Sequence, residues 1–237
     1  AGNDVAAAVR NQAGEIDAVE IDPAILRYGK LFHPDRPYQS SNVNAVVNDA
    51  RAYIRHTDKT YDLIVYGLLD SHNLLSAKSG VRLDSYVYTV EAFREARARL
   101  RDGGVIAMTF SGGWVRPELR LISKLHSMLR EAFDGQSAAV YAGRDSVGLF
   151  IGTDFEIPSD QLPVEFTDIT DKIASGEFQA DKGTDDWPFF YMPVRKYPVS
   201  YVSLILVLLA ISLLFVRQLV SESSSNFSVP CFLLGAG

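Results

Sequence analysis

The feature that most constrains this chain stands at its beginning. Ala1-Gly2-Asn3-Asp4 runs straight into a small helical stretch, Val5 to Arg10, and the next apolar segment ends in Ala18-Val19-Glu20-Ile21-Asp22-Pro23. A tight glycine turn that opens a helix, with an acid about 20 residues later at the tip of the following strand, is how a doubly wound sheet holds an adenosine-type group. The acid takes the ribose hydroxyls. Charge narrows the ligand further, because a dinucleotide's pyrophosphate needs bare backbone amides and close approach, and Asp4 would repel it. Val5 also stands where a third fingerprint glycine would fall. A cationic, phosphate-free nucleoside such as S-adenosylmethionine or its decarboxylated form suits an acidic turn better. The competing reading is a plain Asp helix cap beside an incidental glycine; Glu20 weighs against it.

The rest of the first 157 residues alternates strand and helix, the pattern of an α/β domain with a parallel sheet covered on both faces. Strands are expected at Ala18 to Ile21, Val43 to Val47, Tyr61 to Tyr66, Val105 to Phe110, Ala138 to Ala142 and Val147 to Gly152. Helices are expected at Pro23 to Leu31, Ala50 to His56, Thr89 to Leu100 and Pro117 to Ala132. Asp22-Pro23 supplies a cap and a first-turn proline. His33 to Ser41 is a proline-punctuated loop, and Gly67 to Leu83 reads mostly as loop.

Val199 to Val216 carries no charge, and about 18 such residues suffice to cross a bilayer core. Only Ser200, Ser203 and Ser212 interrupt it, so the polar stripe of an ordinary core helix is missing. The organisation expected is a nucleoside-binding domain at 1–157, a connector with the string TDDWPFFY at 158–198, a membrane helix at 199–216, a loop at 217–228 and the start of a second membrane helix at 229–237. A first strand and a leading glycine are expected ahead of Ala1. The single cysteine, Cys231, excludes a disulfide framework or a zinc cluster within the chain. His33 and His72 lack ligand-spaced partners, so no metal is expected. Ser71 beside His72 is a poor nucleophile and base pair, since sequence neighbours rarely face each other. A net charge of −6 argues against nucleic acid and for a cationic substrate.

Ligands of such a sheet lie beyond the carboxyl ends of its strands, and acids gather there: Asp4, then Glu20 and Asp22, then Asp49 beside the small Ala50, then Asp70. Asp22 and Asp49 also read as helix caps.

AGNDVAAAVR, AVEIDP, NDARAYIR, YDLIVYGLLDSH and LRDGGVIAMTF, in this order and spacing, resemble the spermidine synthase (polyamine aminopropyltransferase) family. TDDWPFFY ahead of the apolar run resembles its membrane-embedded bacterial branch. The resemblance implies a Rossmann-like fold of the S-adenosylmethionine-dependent methyltransferase type and transfer of the aminopropyl group of decarboxylated S-adenosylmethionine to a diamine such as putrescine. It implies that Gly2, Asn3 and Asp4 form the turn around the cofactor, Glu20 with Ile21 holds the ribose, and Asp49 with Ala50 holds the adenine. The family's signature Asp-Ser-Ser-Asp falls on Gly67, Leu68, Leu69 and Asp70, so its first acid is replaced by glycine. Asp70, or a tyrosine such as Tyr86 or Tyr88, is then expected to assist the amine, the alternative being a different acceptor. The alternatives are an S-adenosylmethionine-dependent methyltransferase and a non-catalytic nucleoside-binding domain that regulates a membrane protein. The expected partners are a small amine, the lipid bilayer and, as an open alternative, a second copy in a homodimer. The expected setting is a multi-pass membrane protein with a cytoplasmic catalytic domain.

Overall fold

The computed structural model describes residues 2–67, 86–111, 116–144, 146–152, 163–192, 194–196 and 199–222. The chain divides into two units, Ala1–Val194 and Arg195–Gly237.

The first unit opens with α1 (Asn3–Arg10), β1 (Ile16–Glu20), α2 (Pro23–Phe32), a 3-10 turn at Pro37–Gln39, β2 (Val43–Val47), α3 (Ala50–His56) and β3 (Tyr61–Gly67). It continues with α4 (Val90–Arg97), β4 (Leu100–Ser111), α5 (Arg116–Ala132), β5 (Ala139–Ala142), β6 (Ser146–Gly152), β7 (Thr167–Asp168) and α6 (Thr170–Ala174). Helix starts follow local chemistry. Asp22 accepts from the amides of Ala24 at 2.7 Å and Ile25 at 3.4 Å, with Pro23 in the first turn. Thr89 caps α4 through the Ala92 amide at 3.1 Å.

The strands form two sheets. β1 pairs with β2 in parallel, and a five-stranded sheet runs in the order β3-β4-β6-β5-β7. Only β3 and β4 are parallel in it; β6 runs antiparallel to both β4 and β5, and β5 antiparallel to β7. The expected parallel sheet is thus a mixed one. The reason is local: β5 and β6 are joined by a short turn, in which the Gly143 amide donates to the Ser146 carbonyl at 2.8 Å, and a turn that short can only return the chain antiparallel.

Among the described residues, no ladder joins β1 to β3. Side chains cross between them instead. Tyr61 Oη donates to Asp17 Oδ2 at 3.0 Å and Lys59 Nζ to the same oxygen at 2.9 Å. The groove between the two strands is lined by Val19, Leu63, Val65 and Ile54, and Leu63 and Val65 stay about half exposed, at 53% and 47%.

The core lies between α4, α5 and the five-stranded sheet, where Phe93, Ile106, Met108, Leu125, Leu129 and Leu149 are wholly buried. The string TDDWPFFY belongs to this unit. Phe190 is 1% exposed and stacks on Tyr88, ring centroids 4.3 Å apart and planes 17° off parallel. The buried Lys124 ammonium donates to the carbonyls of Phe189 at 2.8 Å and Met192 at 2.9 Å, closing the turn that carries the aromatics. Tyr88, expected as an aid to catalysis, is 2% exposed and a core residue.

In the second unit, α7 (Val199–Glu222) is described. Its Val199–Gln218 stretch, 20 residues long, is long and apolar enough to cross a membrane. At about 1.5 Å rise per residue this length matches a hydrocarbon core of about 30 Å. The expected second span, 229–237, lies outside the described residues.

Candidate functional site

The carboxyl ends of β1, β2 and β3, with the start of α1, carry nearly every residue singled out in the sequence. Gly2 precedes α1 with φ of 105°, a left-handed conformation open to glycine. A side chain there would also be crowded. A Cβ there would come within 3.1 Å of both His33 Cδ2 and Tyr38 Cε2. Asn3 Oδ1 lies 3.1 Å from His33 Nε2, and His33 Nδ1 accepts from the Asp35 amide at 3.2 Å, which leaves Nε2 as the donor to Asn3. The loop after α2 is therefore folded onto the glycine turn.

Glu20 ends β1, and its Oε1 accepts from the Asp22 amide at 3.1 Å. The Asn48 amide donates to the Glu20 carbonyl at 3.1 Å, holding the tips of β1 and β2 side by side. Ile21 is exposed. Asp49 caps α3 through the Ala52 amide at 2.7 Å, and Ala50 begins that helix. Asp49 lines an open depression with Arg51, Arg55, His56, Tyr86 and Asp185, and Glu20 is not among its lining residues. The structure thus brings Glu20 and Asp49 to one sheet edge without placing both in that depression. Tyr86 is 37% exposed on its rim. Asp70 lies outside the described residues.

Asp4 meets the tip of β3. A Cβ built on Gly67 would overlap Asp4 Oδ2 and lie 2.8 Å from Asp4 Cγ, so the carboxylate rests on the bare Cα of Gly67.

The edge keeps its negative charge. Among the described residues, the hydrogen bonds to the Glu20, Asp22 and Asp49 carboxylates come from backbone amides, none from a lysine or arginine. The two arginines that line the depression with Asp49 are engaged elsewhere: Arg51 donates twice to Glu95, at 2.9 and 3.0 Å, and twice to Asp185, at 2.6 and 2.7 Å, and Arg55 donates to Glu95 at 2.6 Å. The Arg51 proton is held more tightly than usual by Glu95 and then Asp185. The Tyr38 phenol is pushed up by burial and by the charge of Glu20, so it stays a neutral donor. Such an edge favours a ligand that is cationic and rich in hydroxyl and amino donors.

His33, Tyr38, Arg51 and Asp185 were not identified as site residues in the sequence. The signal for the first two was the proline-fixed loop HPDRPYQ directly after α2; the second pair has none, because 134 residues separate its members.

Residues 4–143 match the family model described as the spermine/spermidine synthase domain, more than half of the chain. The chain belongs to the spermine/spermidine synthase family. Among solved structures it is similar to a probable spermidine synthase from Corynebacterium glutamicum ATCC 13032, at 19% identity and a TM-score of 0.48 over 71% of this chain and 63% of that one. It is similar to human methyltransferase-like protein 13 in complex with SAH, at 19% identity and 0.46 over 73% and 74%. It is also similar to a spermidine synthase in complex with the transition state analogue AdoDATO, at 13% identity and 0.47 over 82% and 60%. The chain therefore spans about three fifths of the length of the two spermidine synthases. The described residues hold no cluster of three or more metal-ligating side chains.

Proposed function

We propose that this member of the spermine/spermidine synthase family is a membrane-anchored aminopropyltransferase. It moves the aminopropyl group of decarboxylated S-adenosylmethionine onto a small amine, a diamine such as putrescine. The observation that carries the reading is the un-neutralised carboxylate edge at Asp4, Glu20, Asp22 and Asp49, which matches the sulfonium and ammonium charges of that nucleoside. Gly2 and Asn3 shape the turn beneath it, Glu20 beside Ile21 takes the ribose hydroxyls, and Asp49 with Ala50 takes the adenine amine. The nucleoside supplies an activated carbon next to sulfur. The chain binds it, aligns the acceptor and holds the acceptor's proton, so positioning and electrostatics dominate the rate. We place α7 in a lipid bilayer, in a protein with several spans and its first unit on the cytoplasmic side, and a homodimer is compatible with this assignment.

Calorimetric titration of the intact chain with S-adenosylmethionine and its decarboxylated form tests the reading. The decarboxylated nucleoside is expected to bind more tightly, because the extra carboxylate of the other faces an acidic edge. The reverse order overturns aminopropyl transfer in favour of methyl transfer. Gly67 in place of an acid favours a second reading, a nucleoside-binding regulatory domain, and release of methylthioadenosine on adding putrescine excludes a purely regulatory role.

A further inference from the structure

We propose that the carboxylate which receives the acceptor amine is that of Asp4, carried by α1, and that Gly67 is glycine to make room for it. This rests on the aminopropyltransferase reading. Three observations carry it. Asp4 lies on the Cα of Gly67, with Oδ2 where a Cβ would be and Cγ 2.8 Å from that point. Gly67 does not have the left-handed φ that would call for glycine on backbone grounds, so what its bareness provides here is space. Asp4 is also an exposed carboxylate at the carboxyl end of β3, the edge where ligands of such a sheet sit.

The Asp4 carboxylate in this position and a side chain at position 67 therefore exclude each other. A carboxylate can reach the tip of β3 from the strand itself or from α1, and this chain takes the second route. The chemistry then needs no acid on the strand. An acceptor ammonium has no lone pair; it passes one proton to the Asp4 carboxylate, and the freed pair attacks the methylene carbon bound to sulfur. The new carbon–nitrogen bond forms as the carbon–sulfur bond breaks. The bonding electrons stay on sulfur, which becomes the neutral thioether of methylthioadenosine, and Asp4 returns its proton to water. The product amine keeps the remaining positive charge.

The test uses the intact chain in detergent with decarboxylated S-adenosylmethionine and putrescine. It reads nucleoside affinity by calorimetry and transfer by methylthioadenosine release across pH. Asp4→Asn is expected to lower kcat, read at saturating nucleoside, by at least about 100-fold, within the range for loss of a general base, and to abolish the acid limb of the pH profile, whereas loss of the charge facing the nucleoside would by itself weaken only binding. Gly67→Ala is expected to fold, because the atom displaced is the end of a flexible side chain, and to lose activity by pushing that carboxylate aside. Asp4→Ala combined with Gly67→Asp returns an acid to the strand and is expected to recover at least about tenfold over Asp4→Asn, with the acid limb of the pH profile restored. Asp4→Asn with wild-type kcat, or a double variant no better than Asp4→Asn, overturns the assignment of Asp4 alone. A wild-type chain that neither binds the decarboxylated nucleoside nor releases methylthioadenosine overturns the aminopropyltransferase reading, and this inference with it.

Discussion

Arg51 and Asp185, 134 residues apart, are joined by two parallel hydrogen bonds of 2.6 and 2.7 Å, and the same guanidinium holds Glu95 with two more. Thr89 Oγ1 donates to Asp185 Oδ1 at 2.8 Å, so the clamp also grips the start of α4. It fastens the string TDDWPFFY to α3, the helix that carries Asp49.

The clamp sets a first prediction. The Arg51 side chain is 9% exposed, and Arg51→Met removes the partner that Glu95 and Asp185 share, leaving them Arg55 and Thr89, so it is expected to cost about 2 kcal/mol of unfolding free energy. Asp185 is 41% exposed, and Asp185→Asn is expected to cost only about 1 kcal/mol. Urea denaturation of the first unit's tertiary signal measures both.

The same ion pairs predict acid sensitivity. Hydrogen bonds from Arg51 hold Asp185 below its ordinary value despite partial burial. Burial would raise Glu95, but the bonds from Arg51 and Arg55 outweigh it and leave it lowered. A carboxylate with a depressed folded pKa stabilises fully above its unfolded value, about 4, and loses that contribution as pH falls through the folded one. The stability gap between wild type and Arg51→Met is expected to close progressively below about pH 4, as urea midpoints at a series of acidic pH values would show.

Lys124 is also held below its ordinary value, but here the shift disfavours the charged form. Burial pushes its ammonium down to about 8, against a partial opposing pull from Asp181. The folded state pays to hold that proton below about 8, so stability is expected to rise between about pH 8 and pH 10.5, by roughly 3 kcal/mol relative to Lys124→Met. Parallel denaturation curves of the two proteins at pH 7.5 and 10.5 provide the comparison; equal shifts would refute it.

Glu20 is expected to contribute to ligand binding. Glu20→Ala should weaken the nucleoside by about 1.5 to 3 kcal/mol, the range for hydrogen bonds to a charged group. Unchanged affinity in a titration would refute the ribose assignment.

Leu208 lies mid-way along the apolar stretch of α7. Leu208→Arg is expected to cost about 2.5 to 3.5 kcal/mol of insertion and to release part of the protein from membranes on alkaline carbonate washing, where the wild type stays bound.

Much of this was legible in the chain. Asp22-Pro23 marked the start of α2, and its cap bonds are there; Asp49 marked α3 in the same way. Strand β2 stands where its apolar run placed it, because such local signals depend on a few neighbouring residues. Direction in the sheet was not legible. The Gly143 to Ser146 turn is a weak signal beside two apolar runs, and only their pairing reveals that β5 and β6 return antiparallel. The Arg51–Asp185 clamp and the contact of Asp4 with Gly67 join distant segments, which periodicity cannot report. The partner of Phe190 was not legible either: its stack on Tyr88 joins segments about 100 residues apart.

Among the described residues no ladder joins β1 to β3, so the carboxyl edge lies in two pieces, and the first turn of α1 touches both. Gly2 and Asn3 hold one piece through Tyr38 and His33, while Asp4 presses on the other at Gly67. Sliding one piece past the other would change the spacing of the carboxylates along this edge. Three consecutive residues thereby set that spacing, and a small substitution among them would change it without touching either sheet.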